Sequence, residues 1–319
     1  MASATKTGLE VKVIGNASNF WLWSERDGFD LTHPETSSSP LLHPRISLQT
    51  TNSPITIAPS KTALVIVDMQ NFFLSRSLGR KGQGHDAEAA LLQHALPAAR
   101  KAGIQVIWLT WGLTDADLEV MSPTMLRIFK FDDNGSAQVQ ATGALSGVEQ
   151  TTMRMAEDGA VRRRTEGIGF DIGPVKLANG QVVEGGRMLV RDTWNAAMPL
   201  DLNDSFKEGQ ASESNPDILI HKNRMSGFWD REMKRVKVLE EKGVRTLLFV
   251  GIKTDMCVMA SLLDAWHAGF DVILLKDACG TTSPRYVSDA VEFNCARIWG
   301  FVSDSKALEQ GVNNMLDAV

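Results

Sequence analysis

The sequence predicts an open, mainly parallel β-sheet with helices on both faces, a Rossmann-like three-layer α/β/α fold. Two patterns carry this expectation. First, short apolar runs rich in β-branched residues recur: TALVIVDMQ (62–70), IQVIWLTW (104–111), DILIHK (217–222), RTLLFVG (245–251) and DVILLKDAC (271–279). They lack polar alternation, as expected of strands covered on both faces. Second, segments with helical apolar spacing lie between them and stop at glycine, as in EAALLQHALPAARKAG (88–103) and REMKRVKVLEEKG (231–243). Strands alternating with helices build parallel sheets through crossovers.

Taken in order, residues 1–60 read as an irregular N-terminal arm. HPETSSSPLLHP (33–44) is rich in Ser and Pro, and the aromatic stretch NFWLWSERDGFDL (19–31) can pack over the domain or a neighbouring subunit. Residues 61–319 form the main domain. Its final part, SPRYVSDAVEFNCARIWG (283–300), reads as a helix followed by a short strand. Between 112 and 216 the pattern weakens into a long insertion expected to shape a pocket or an interface. Helices are expected near 122–131 and 148–159. A hairpin is expected over 175–190, turning at Asn179-Gly180.

Composition narrows the function classes. Of 319 residues, 43% are hydrophobic and 22% charged, which is ordinary for a globular protein. A net charge of −5 leaves no basic footprint for nucleic acid. No apolar run reaches the roughly 18–20 residues of a membrane span. MASATKTGLEVKV lacks the apolar core of a signal peptide. Three cysteines with no CxxC pair argue against a disulfide scaffold and a structural zinc site, so the expected location is the reducing cytoplasm. No metal-ligand cluster accompanies His85 or His94, so neither metal nor other cofactor is expected. GIGFDIG (167–173) has the wrong spacing for a dinucleotide loop, and VRRRTEG (161–167) reads as a solvated charge run.

Ligands of open α/β sheets bind beyond the carboxyl ends of the strands. Asp68, Lys222 and Cys257 fall at such ends. Cys257 belongs to GIKTDMCVMASLLDAW (251–266), where a strand gives way to a helix. A helix N-terminus stabilises an anion, with Thr254 and Asp255 as capping candidates, so the thiol pKa is expected to fall and the thiol to be reactive near neutral pH. A nearby lysine would add to this, and a carboxylate could take the proton. Taken singly, each residue has a plainer reading: an inert buried thiol, a capping carboxylate, a solvated lysine. His221, next to Lys222, should point to the opposite face.

ALVIVDMQNFF, HKNRMSGFWD and GIKTDMCV, in this order and spacing, resemble the motifs of the isochorismatase-like cysteine hydrolases over about residues 60–308. The resemblance implies an Asp68–Lys222–Cys257 triad, with Cys257 attacking a carbonyl, Asp68 moving the proton and Lys222 holding the charges. It implies a non-proline cis peptide between Ile252 and Lys253, with the Lys253 and Cys257 N–H groups as an oxyanion hole. It also implies a small-molecule substrate and a homo-oligomer, dimer or tetramer. TWGLTDADLEV (110–120) lacks the histidine of metal-dependent nicotinamidases. KNRMSGFWD and GFVSDSKAL (300–308) resemble the ureidoacrylate amidohydrolase branch, which points to an amide, ureido or carbamoyl substrate. Candidate pocket residues are Gln70, Phe73, Trp111, Ser226 and Phe228. Two alternatives stay open: hydrolysis of the isochorismate vinyl ether, which needs Asp68 but no thiol, and a non-catalytic binding protein of the same fold.

Overall fold

In the computed structural model, residues 10–40, 42–126, 128–129, 167–229 and 234–318 are described. The helix expected at 148–159 and the charge run 161–166 lie outside them, as does most of the second half of the helix expected at 122–131. Its first half is a short helix, Pro123–Leu126.

Five short strands come first: β1 (Lys12–Asn16), β2 (Asn19–Ser24), β3 (Gly28–Asp30), β4 (Ile46–Leu48) and β5 (Ile55–Ile57). β6 (Thr62–Val67) and β7 (Gln105–Trp111) precede the expected hairpin, β8 (Pro174–Lys176) and β9 (Val182–Glu184). β10 (Ile218–Lys222), β11 (Thr246–Ile252), β12 (Asp271–Gly280) and β13 (Phe301–Ser303) complete the series. The main sheet has the order β10-β7-β6-β11-β12-β13, and every pairing in it is parallel. The chain enters at β6, builds outward through β7 to β10, then crosses back to β11 on the other side. β6 and β11 therefore flank the switch point where open α/β sheets bind ligands.

Side-chain alternation divides the interior into two cores. Ala63, Val65 and Val67 of β6 face one side, with Phe249 of β11 and Val258 and Leu262 of the following helix. Leu64 and Ile66 face the other, against Leu91 and Ala99 of the helical stretch 83–102 and Leu308 and Val312 of the C-terminal helix Ser305–Asp317. That helix extends beyond the GFVSDSKAL motif. Asp304 caps it, its Oδ1 accepting from the Ala307 N–H at 2.8 Å. The 83–102 stretch contains a π-turn at Leu91–Ala95, directly before Pro97. Proline has no N–H and its ring crowds the preceding carbonyls, so the helix widens there without ending. Gly103, at φ 73°, ends it in a left-handed cap.

The described residues among the first 60 are not the irregular arm the sequence suggests. From residue 12 onward they contain a five-stranded sheet of order β1-β2-β3-β5-β4. Its strands are three to six residues long, too short for periodicity to be recognised. Leu31, Ile46, Leu48, Ile55 and Ile57 are fully buried in the second core. Asp271, at the start of β12, fastens this layer. Its Oδ1 accepts from Trp21 Nε1 at 2.9 Å, and its Oδ2 lies 2.6 Å from His33 Nε2 and accepts from Thr246 Oγ1 at 3.2 Å.

Removing that carboxylate strands one buried partner, Thr246, and two partly buried ones, Trp21 and His33. Asp271→Ala is expected to lower the unfolding free energy by about 1–3 kcal/mol and to open residues 10–57 to proteolysis. Unchanged denaturant melting and unchanged cleavage would contradict this role.

Candidate active site

Asp68 follows β6 and adopts φ 54°, a left-handed conformation that aspartate tolerates better than most residues. Its N–H donates to the Leu109 carbonyl at 2.8 Å. Oδ1 accepts from the Trp111 N–H at 3.2 Å, and Oδ2 lies 2.9 Å from Lys222 Nζ. Both side chains of this ion pair are fully buried. Oδ2 gains no aligned hydrogen bond from the ammonium, so the contact is mainly electrostatic. Lys222 ends β10, with β7 between it and β6. It reaches Asp68 across the Trp111 indole, in register with it, with Nζ 3.9 Å from the ring centroid. Nζ also donates to the Arg224 carbonyl at 3.1 Å.

Cys257 lies in the first turn after β11, a π-turn at Thr254–Val258. The Ile252–Lys253 peptide is cis. The thiol is buried beside the Asp68 carboxyl. The Trp111 indole N–H faces the sulfur without the alignment of a full hydrogen bond. Gly251, at φ 115°, lets β11 close on β6, because a Cβ there would lie 2.1 Å from the Val67 carbonyl oxygen.

The expected capping role of Asp255 and Thr254 gives way to another arrangement. Lys253 occupies the cap position with no side-chain cap bond. The Asp255 carboxylate instead accepts from the Thr281 and Ser283 hydroxyls, the latter at 2.7 Å. These residues follow β12, and hydroxyls after an apolar strand were the available signal for them. The expected fall in thiol pKa is also reversed. Burial pushes Cys257 up to about 12; Lys222 opposes the shift and Asp68 adds to it. Burial raises Asp68 as well, with Lys222 and its hydrogen bonds opposing. One buried lysine can neutralise one anion, and a carboxyl is intrinsically more acidic than a thiol. Burial therefore favours the neutral thiol at Cys257.

The pocket candidates separate. Phe73 is half-buried and lines a cleft beside Lys253. Trp111 is fully buried beneath Lys222. Gln70 spends its amide on backbone: Oε1 accepts from the Trp111 N–H at 3.0 Å, and Nε2 donates to the Trp111 and Ala196 carbonyls at 2.8 and 2.6 Å. It positions the loop after β6. Ser226 Oγ accepts from the Phe228 N–H at 3.0 Å, and Phe228 packs on Phe249 and Phe270 in the core. A residue overlooked in the sequence, Asn195, is fully buried. Its Oδ1 accepts from the Leu189 N–H at 2.8 Å, and its carbonyl accepts from the Phe72 N–H at 2.8 Å. Among the described residues, no group of three or more His, Cys, Asp or Glu could hold a metal, and no helix is long and apolar enough to cross a membrane.

In resting enzyme, Cys257 should alkylate with iodoacetamide more slowly at pH 7 than a free thiol, with a titration midpoint above the ordinary value of about 8.5. A midpoint below 7 would show that the lysine and helix terminus outweigh burial.

A family model, the isochorismatase domain, matches residues 191–297. The ureidoacrylate amidohydrolase of Agrobacterium fabrum is 30% identical over 256 residues, covering 78% of this chain and 89% of that protein. Its counterpart from Rhizobium rhizogenes is 29% identical over 264 residues, covering 81% and 86%. Among solved structures, a cysteine hydrolase from Pseudomonas syringae pv. phaseolicola superposes with a TM-score of 0.53 at 18% identity, over 87% of this chain and 99% of that one. An isochorismatase family protein from Desulfovibrio vulgaris gives 0.50 at 17%, over 78% and 97%. With a relative at 30% identity matched over nearly its full length, the chain belongs to the isochorismatase-like hydrolase family.

Proposed function

We propose that the protein is a cysteine hydrolase that cleaves a non-peptide C–N bond of a small amide, ureido or carbamoyl compound. The observation that carries this reading is the buried contact of Asp68 with both Lys222 and the Cys257 thiol. The named activity of the amidohydrolase relatives supports it.

In this mechanism Sγ attacks the carbonyl carbon while the thiol proton passes to Asp68. A neutral thiol suits this route, since transfer within the pair leaves the charge of the buried site unchanged. The S–C bond forms and the carbonyl electron pair moves to oxygen, held by the N–H groups of Lys253 and Cys257. Collapse of the intermediate breaks the C–N bond, and Asp68 donates its proton to the departing amine. Water then attacks the thioester, gives a proton to Asp68 and releases the acid. The thiolate takes the proton back. Ammonia leaves directly or follows from decay of a carbamate. Lys222 keeps one negative charge stable at each stage. A thiol placed beside the proposed base favours this reading over vinyl-ether hydrolysis, which has no use for a nucleophile.

The test is ammonia release from ureidoacrylate, N-carbamoylsarcosine, biuret and nicotinamide. At least one should be turned over by the wild type. Cys257→Ala should lose at least about 10³-fold, and Asp68→Asn about 10²–10⁴-fold. Equal release by wild type and Cys257→Ala would overturn the thioester route. The reading includes a homo-oligomer in the cytoplasm, and light scattering at micromolar concentration should give at least the mass of a dimer.

A further inference from the structure

The ladder between β11 and β12 ends at the Ile252–Gly280 pair. Beyond it one segment turns toward Cys257 and the other runs into Thr281, Thr282 and Ser283. Side-chain hydroxyls there continue the work of joining the two segments. Asp255 Oδ1 accepts from Thr281 Oγ1 at 2.5 Å, and its Oδ2 accepts from Ser283 Oγ at 2.7 Å. Lys253 Nζ donates to Thr282 Oγ1 at 2.8 Å. The hydroxyl tripeptide thus grips the turn on either side of Thr254, and Asp255 stands two residues from Cys257.

The grip has a firm mounting. Thr281 is buried, and its N–H donates to Gln83 Oε1 at 3.3 Å. Its hydroxyl, while donating to Asp255, accepts from the Ser283 N–H at 3.1 Å. Gly280 lies so close to the start of the helical stretch 83–102 that a Cβ there would stand 2.6 Å from the Gln83 carbonyl oxygen. On the side of the turn, the Lys253 carbonyl accepts from the Met256 and Val258 N–H groups at 3.0 and 3.2 Å. Residues 253–258 therefore move together, and a shift at Asp255 is passed to Cys257. A carboxylate suits this place because it offers two acceptor oxygens, whereas an amide offers one.

We propose that Asp255 is a positioning residue. By holding the Thr281 and Ser283 hydroxyls it seats the turn against the end of β12, and this seating sets Cys257 Sγ beside Asp68 and aligns the Lys253 and Cys257 N–H groups with it. Its effect on rate rests on the C–N hydrolase reading. Its effect on the sulfur is testable without turnover.

The test follows alkylation of Cys257 by iodoacetamide against pH, with the modified residue identified by mass spectrometry. Sγ displaces iodide, and Asp68 and Lys222, which face the sulfur, are untouched in every variant. In the wild type burial pushes the thiol up to about 12. In Asp255→Ala the released turn should admit water to the sulfur and move the midpoint down toward about 8.5. The rate at pH 7 should rise at least about tenfold, the scale of one hydrogen bond to a charged group. Thr281→Val combined with Ser283→Ala keeps the charge and removes both donors, and should behave as Asp255→Ala does. Asp255→Asn removes the charge and keeps one accepting oxygen, and should stay closer to the wild type. Wild-type alkylation in Asp255→Ala overturns the proposal. So does acceleration in both Asp255 variants with none in the double hydroxyl variant, which would assign the effect to the charge of Asp255. If these variants fail to fold, Ser283→Ala removes one arm alone. A rise of about threefold at pH 7 is then expected, and no rise overturns the proposal. With any compound the wild type hydrolyses, Asp255→Ala should lower kcat about 10²-fold and leave KM within about threefold. Ammonia release from no compound counts against the hydrolase reading alone, and the alkylation profiles still decide this one.

Discussion

The buried pair of Lys222 and Asp68 is the constraint around which the site is organised. Two opposite charges taken out of water are tolerated only with close contact and further partners. Here those partners are the Trp111 ring and N–H and the Arg224 carbonyl. The pair also fixes the state of its neighbour. With the one buried cation already set against Asp68, burial pushes the Cys257 thiol up. In the proposed mechanism, activation then depends on where the proton can go, and the neighbouring carboxylate of Asp68 supplies that place.

The topology explains why three residues far apart in sequence meet. β6 and β11 are adjacent where the winding of the sheet reverses, so Asp68 and Cys257 emerge side by side. Lys222 comes from beyond β7, and the flat indole of Trp111 bridges the width of that strand. A small residue at 111 would leave the lysine stem without support. Trp111 thus acts on all three members, as platform, backbone donor and N–H facing the sulfur.

Much of this was legible in the sequence. Asp68 and Lys222 end largely apolar runs and Cys257 follows one after the turn GIKTDM, and such runs read as doubly covered strands. What escaped has physical reasons. The N-terminal sheet consists of short strands, and it is fastened in part by a carboxylate distant in sequence, Asp271. The thiol ionisation is not legible in the sequence because a helix terminus is a local feature, whereas desolvation depends on everything packed around the sulfur. Gln70 and Phe228 were assigned to the pocket by position, but their side chains turn to backbone and core. Asn195 had no signal at all: an asparagine in a weakly patterned segment becomes significant only when its partners are known.

The grip of the 112–216 segment on the loop after β6 has a consequence for how substrate preference can change. Ala196 accepts from Gln70 Nε2, Asn195 accepts from the Phe72 N–H, and the Trp194 and Ala197 carbonyls accept from Asn71. The most divergent stretch of pattern in the chain is thus fastened one residue away from Met69, next to the proposed base. Loops that shape pockets are usually regarded as exchangeable parts on an indifferent scaffold. In this chain the Trp194–Ala197 turn belongs to the scaffold. A graft that runs through 194–197 exchanges the mounting of the proposed acid–base group along with the specificity.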